Sequence, residues 1–292
     1  MKVRPAAPQG GLTLVLTRRC PFRCGFCPQA FEEKDMAPRV LEAALRGLGP
    51  AAAGLGPIKL FGGEPLAKPS LVRRAVLLAK ELDLKAGILL STHGGLMNEG
   101  MRRFLAGHPE VEVAFGKASP WARRLPRVCL NFVLEPGQHP ARALARMREA
   151  LAFRFRSFNF LPVYFVPWSA KGLAELARSF RVLARLIKGL RKAGMPVEVK
   201  NLRRHGSVPL YNDGPCVDTD GTVYASNLVL AAGMEPHAGR LRLGHVSEPG
   251  RLAPPPSSAA LKSILQAAFE PRALEGTLRA DAMLTEFVHA LR

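Results

Sequence analysis

No stretch of this 292-residue sequence approaches the ~20 continuous apolar residues of a membrane-spanning helix, so no helical membrane span is expected. The N-terminal Met1-Lys-Val-Arg-Pro5 is basic, but the apolar run that follows, Leu12 to Leu16, is too short for the core of a signal peptide. There are only five cysteines, an odd and clustered set, which argues against a disulfide framework. Reduced thiols and metal ligation in a bacterial or archaeal cytoplasm are expected instead. Acidic residues are scarce too, 23 against 42 Lys and Arg, for a net charge of +19. No internal repeat is visible, and no basic run is interleaved with aromatics.

The excess charge is mostly arginine, in pairs such as Arg18-Arg19, Arg73-Arg74, Arg102-Arg103, Arg123-Arg124 and Arg203-Arg204. Three partners fit it: nucleic acid, an acidic peptide substrate, or an acidic electron donor of the flavodoxin or ferredoxin kind. Compositional drift in a GC-rich genome, where Arg and Ala rise together, is the plain alternative. A hydrophobic content of 48% describes a globular chain long enough to bury a substantial core.

What the sequence does hold is chemistry at the ends of strands. Three of the five cysteines fall within eight residues, as Cys20-Pro-Phe-Arg-Cys24-Gly-Phe-Cys27, just after Leu12–Leu16. Three closely spaced thiolates suit three irons of a four-iron cluster and leave the fourth iron open. Joined by Cys216 they could instead make a four-thiolate zinc site, although only Cys24 and Cys27 have the usual CxxC spacing. Cys129 lies inside a strand and reads as a buried small hydrophobe.

Ile58–Phe61 reads as a short buried strand and runs straight into Gly62-Gly63-Glu64-Pro65. Glycines there permit positive φ and close backbone approach to a ligand, and the carboxylate could accept from an ammonium group. An ordinary strand-to-helix turn would use the same residue types. A third group, Ser91-Thr92-His93-Gly94, follows the strand-like run Ala86–Leu90. A lone histidine after a strand is most often a loop residue, and His93 is given no catalytic role.

These residues resemble the radical SAM superfamily, whose signature is CxxxCxφC with φ aromatic, here Phe26. The resemblance implies a [4Fe-4S] cluster ligated by Cys20, Cys24 and Cys27. It also implies S-adenosylmethionine on the open iron, and one-electron cleavage to a radical that removes hydrogen from an inert C–H bond. It further implies that Gly62, Gly63, Glu64 and Pro65 hold the methionine end of the cofactor. Thr92 stands in a segment that is often Thr-Asn-Gly in the family, with His93 replacing Asn. Asn131 resembles a cofactor-contacting position, or is simply a strand residue hydrogen-bonded to neighbouring backbone.

Strand-like runs alternate with helical patterns, the signature of βα units. The strands are Leu12–Leu16, Ile58–Phe61, Ala86–Leu90, Val111–Phe115, Val128–Leu134 and Phe158–Phe165. The helices are Pro38–Leu48, Pro69–Leu82, Asn98–Ala106, Pro140–Phe153 and Ala170–Ala193. They fit an α/β fold, the partial (β/α)6 radical SAM barrel, with reactive groups at the C-terminal strand ends. Between the fourth and fifth strands only Gly116 to Arg127 remain, with Pro120 and Pro126, so the fourth helix is missing or the sheet is irregular there. Ala114-Phe-Gly116 also stands where relatives carry polar residues.

A first domain is expected over 1–200 and a small α+β extension over 201–292. Cys216 and Asp220-Gly221-Thr-Val-Tyr224, then Leu243-Gly-His-Val246, resemble a SPASM/twitch extension stripped of its auxiliary-cluster cysteines. In that reading Cys216 is a core thiol. Pro254–Ser258 reads as a linker. Two terminal helices follow, near Ala259–Phe269 and Arg279–Leu291, the second with Ala282, Leu284, Phe287, Val288 and Leu291 on one face.

The resemblance implies a radical SAM enzyme acting on a peptide or protein side chain, with no leader-peptide-binding segment evident. The alternatives are a tRNA- or nucleoside-modifying enzyme, or a non-catalytic degenerate member that binds a partner.

Overall fold

The computed structural model describes residues 11–52, 54–203 and 214–292. The basic residues 1–5, the turn-rich stretch 204–213 and Arg204 of the Arg203-Arg204 pair lie outside the described residues. In chain order the elements are β1 (Thr13–Thr17), α1 (Pro38–Ala52), β2 (Ile58–Gly62), α2 (Pro69–Glu81), β3 (Ile88–Thr92), α3 (Glu99–Ala106) and β4 (Val111–Phe115). Then come β5 (Val128–Leu134), α4 (Pro140–Ala152), β6 (Ser157–Pro162), α5 (Ala170–Lys192) and β7 (Glu198–Val199). The last are β8 (Cys216–Val217), β9 (Thr222–Tyr224), β10 (Arg242–His245), α6 (Ser258–Ala268) and α7 (Pro271–Ala290). This is the expected α/β class, parallel strands joined by helices.

The described residues of 11–24, 28–113 and 214–268 form one compact unit, and 25–27, 114–203 and 269–292 form another. In the first, β1 pairs in parallel with β2, Leu14 opposite Leu60, and on its other side with β8, Thr13 opposite Cys216. Flanked on both edges, all five residues of β1 are buried, as a near-continuous apolar strand should be. β2 pairs in parallel with β3, while β8, β9 and β10 form an antiparallel meander. Its tight turn is the predicted Asp-Gly hairpin, with Gly221 at φ +92°.

In the second unit β5, β6 and β7 are parallel, with Leu130 opposite Phe158 and Ser157 opposite Glu198. Neither unit closes its strands on themselves. α7 packs on β6 and α5 through Phe287, which meets Phe160 edge-on at 5.0 Å and stacks on Phe180 at 4.7 Å.

Helix starts follow the sequence signals. Pro69 opens α2, and Asn98 caps α3 by accepting from the Met101 N–H at 2.9 Å. The helix between β4 and β5 is indeed missing. A 3-10 turn, Pro120–Arg124, capped by Ser119, fills the gap, because two prolines in about a dozen residues leave no room for an α-helix.

Three expectations need correction. β6 ends at Pro162 rather than Phe165, since proline has no N–H to extend the ladder, and Phe165 turns to φ +61°. α7 begins at Pro271, eight residues before Arg279. Its buried face takes in Ala280 and Asp281, and leaves Ala282 exposed. Among the described residues no helix is long and apolar enough to cross a membrane.

Candidate functional site

β1 delivers its chain end into the cysteine loop, and β2 and β3 deliver the other two motifs beside it. The join begins in the backbone. The Gly63 N–H donates to the Thr17 carbonyl and the Glu64 N–H to the Arg19 carbonyl, both at 2.8 Å. This contact is what demands the two glycines. A Cβ on Gly62, whose φ is +143°, would lie 2.2 Å from the Thr17 carbonyl oxygen, and one on Gly63 would lie 2.2 Å from that of Arg19. The close approach that the sequence suggests for a ligand is made first to the chain's own cysteine loop.

The Glu64 carboxylate is 1% exposed and is already engaged. Oε1 accepts from the Leu66 N–H at 2.9 Å and from the Thr92 hydroxyl at 2.6 Å, and Oε2 accepts from the His93 N–H at 2.7 Å. Thr92 Oγ1 in turn accepts from the Gly94 N–H at 3.0 Å. The acid is therefore a strut between the ends of β2 and β3. Pro65 opens the 3-10 turn that follows.

The cysteine loop has almost no regular structure, and Cys20, Cys24, Phe26 and Cys27 are all half-buried. All five cysteines are thiols rather than disulfides. Arg23 folds the first part of the loop by donating to the carbonyls of Cys20 and Phe22, while its guanidinium sits 5.3 Å from the Phe31 ring. Burial pushes the Cys20 thiol up from its ordinary value, and the nearby Glu64 carboxylate adds to this. A bound cation reverses that preference, because a coordinating thiol loses its proton.

Among the described residues, no three His, Cys, Asp or Glu side chains are grouped so as to hold a metal ion. The loop's chemistry fits an iron–sulfur cluster all the same: three reduced thiols within eight residues, on an irregular and part-exposed segment whose start is pinned to Gly63 and Glu64.

Cys216 is fully buried, and burial drives its thiol far up. It sits opposite Thr13, and with ~3.3 Å of rise per residue that is about 13 Å short of the end of β1. This placement suits a core thiol and not a fourth ligand of the loop. Cys129 is likewise buried.

Asn131, on β5, accepts from the Asn159 amide of β6 at 3.1 Å, in direct register. Its partner is thus a side chain rather than backbone. The sequence reading does not single out Asn159, although asparagine inside an apolar strand is signal enough to look for one.

Several further residues carry no local signal. Arg18 is buried and binds Asp218 of the hairpin through Nε at 3.0 Å and through a second, very short contact, while a third nitrogen reaches Glu32 at 3.1 Å. Asp35 accepts from the Thr17 hydroxyl at 2.7 Å and pairs with Lys68 at 2.7 Å and with Arg19 at 3.2 Å. Phe22 stacks on His93 with ring centroids 3.8 Å apart.

The family model for the radical SAM superfamily matches residues 14–168, more than half of the chain, and the protein belongs to that superfamily. The cofactors this membership implies are a [4Fe-4S] cluster and S-adenosylmethionine. Among curated proteins, the chain is 36% identical over 107 residues to the PqqA peptide cyclase of Methylorubrum populi, covering 36% of this chain and 27% of that one. It is 32% identical over 113 residues to the PqqA peptide cyclase of Gluconobacter oxydans, covering 37% and 31%. The chain thus spans less than a third of the length of these curated relatives.

Among solved structures, a histidine-tagged anSMEcpe with bound AdoMet superposes with a TM-score of 0.69 at 15% identity, covering 96% of both chains. Streptococcus suis SuiB bound to precursor peptide SuiA gives 0.60 at 12% identity, covering 78% of this chain and 62% of that one. At those identities the likeness is one of fold.

Proposed function

We propose that this protein is a radical SAM enzyme that modifies a peptide or protein side chain, with Cys20, Cys24 and Cys27 ligating its [4Fe-4S] cluster. The observation that carries the reading is the backbone join between the cysteine loop and Gly62–Glu64, which brings two family motifs 35 residues apart into one site.

When bound, the cluster and S-adenosylmethionine supply one-electron reduction and hydrogen-atom abstraction. The chain's own part is to bind and orient them. Gly62 and Gly63 would hold the ammonium end of the cofactor through their backbone. Glu64 and Thr92, bonded to each other, would keep that segment in place, and Phe26 would pack beside the cluster. By its resemblance to a family position, Asn131, bonded to Asn159, would offer a polar contact to the cofactor. The peptide substrate is supported by the cyclases that match in sequence. Residues 201–292 act as a SPASM/twitch-like extension without auxiliary-cluster cysteines, following a first domain over 1–200. The net charge of +19 suits an acidic flavodoxin or ferredoxin as electron donor in the cytoplasm.

The test is EPR on anaerobically reconstituted, dithionite-reduced protein, with and without S-adenosylmethionine, followed by assay of 5′-deoxyadenosine. A four-iron signal that the cofactor shifts, together with product above a protein-free control, supports the proposal. A signal indifferent to the cofactor, with no product, identifies a non-catalytic binding member. Stoichiometric zinc with no paramagnetic signal overturns the cluster assignment.

A further inference from the structure

The x3 segment between the first two cysteines contains an aromatic side chain that the cluster motif itself does not require. That residue, Phe22, lies flat on the His93 imidazole, with centroids 3.8 Å apart and planes inclined by 24°. The backbone of His93 is held in turn, its amide N–H donating to Glu64 Oε2 at 2.7 Å. Gly95 completes the seat. A Cβ there would lie 2.7 Å from the tip of the Phe22 ring and 3.1 Å from His93 Nδ1, so any side chain at 95 would push into the stack. His93 Nδ1 is buried and has no hydrogen-bond partner, so no bond at that nitrogen fixes the ring.

From this we infer that His93 is a positioning residue for the cluster loop. Its ring is the shelf on which Phe22 rests, and through Phe22 it fixes where Cys20 and Cys24 present their sulfurs. The loop has no helix or strand of its own between those cysteines, so side-chain anchors must set its shape. Arg23 ties the loop to itself, through the carbonyls of Cys20 and Phe22. The Phe22–His93 stack ties it to the end of β3, and so to the same Glu64 strut that organises Gly62 and Gly63. An aromatic stack of this kind needs a flat ring at 93, which asparagine, serine or alanine cannot provide. Phenylalanine can.

The inference rests on the assignment of Cys20, Cys24 and Cys27 as cluster ligands, and its experiment separates the two. In the metal-free chain, hydrogen–deuterium exchange of a peptide covering residues 18–24 is compared for the wild type, His93→Asn and His93→Phe. Faster exchange in His93→Asn, by fivefold or more, with wild-type exchange in His93→Phe, is the expected result. Unchanged exchange in His93→Asn overturns the inference, whether or not the protein binds iron. Equal acceleration in both variants also overturns it, because the ring would then not be what matters.

In reconstituted protein, release of iron to a chelator is followed by absorbance. A severalfold faster loss in His93→Asn and in Phe22→Ala, restored in His93→Phe, is expected. A wild type that takes up no cluster would sink the ligand assignment and leave the exchange result to judge the shelf.

Discussion

Arg18 and Asp218, 200 residues apart in sequence, form a buried two-point ion pair that clamps the exit of β1 to the β8–β9 hairpin. Asp218 also accepts from the Thr219 N–H at 2.7 Å, so the carboxylate both shapes the turn and holds the arginine. Burial alone would lower the Arg18 value, but the bond to Asp218 and its charge outweigh this, with help from Glu32, and the guanidinium ends up raised.

Removing one partner of that pair leaves a buried charge with incomplete compensation. Asp218→Ala is expected to cost about 3 kcal/mol or more in unfolding free energy. The double variant Arg18→Met/Asp218→Leu should recover a large part of the loss. Urea denaturation at neutral pH reads both, and a double variant no better than the single would refute the assignment.

At Gly63 the constraint is steric. Gly63→Ala sets a methyl 2.2 Å from the Arg19 carbonyl, a distance no real contact shows, so the cysteine loop and the Gly62–Glu64 segment must separate. The expected outcome is a folded chain with iron content after reconstitution well under half that of wild type. Substitution at Gly54, where an added Cβ meets nothing within 4 Å, serves as the control and should leave iron content unchanged.

Glu64→Gln tests the strut. The acid accepts from three donors, and an amide turns one acceptor oxygen into an NH2 that must face one of them. A loss of about 1–3 kcal/mol is expected, with weaker S-adenosylmethionine binding by calorimetry. If Glu64→Gln lost cofactor affinity at unchanged stability, the carboxylate would instead be a direct ligand of the ammonium.

Asp35 supplies a pH signature. Burial works to raise its carboxyl, but hydrogen bonds from Lys68 and Thr17, with the charges of Lys68 and Arg19, lower it overall below the ordinary 3.8. A depressed folded value means that the unfolded chain takes up protons first as the pH falls. The stabilisation is therefore complete above the ordinary carboxylate range and disappears as the pH drops through the folded value. Asp35→Asn should be about 1 kcal/mol less stable than wild type at pH 6. The gap should narrow steadily below pH 4 in urea melts, and a gap that persists at the acid end would rule out this origin.

The strand ends are legible because the chain punctuates them. Thr17 leads into the cysteines, Gly62-Gly63 closes β2, and Thr92 closes β3 just before Gly94. The missing helix is legible from Pro120 and Pro126. What the sequence hides is of two kinds. Partnerships such as Arg18 with Asp218 and Thr17 with Asp35 depend on tertiary placement, and no periodicity announces them. Roles are hidden as well, since a glutamate beside two glycines looks the same whether it faces a ligand or braces a neighbouring strand. The phase of α7 departs from the apolar pattern around Ala282 because Asp281, a polar residue, is buried in its place.

The bond between Gly63 and Thr17 separates two kinds of distance. The chain between the two motifs runs out through α1 and returns, and that excursion can lengthen, shorten or change composition without moving either end. The contact itself has no such latitude, because it consists of one carbonyl and one amide with nothing larger than hydrogen between them. Insertions engineered at residue 54 should therefore leave the site intact, whereas a single extra residue between Thr17 and Cys20 would slide the cysteines out of step with the strand beside them.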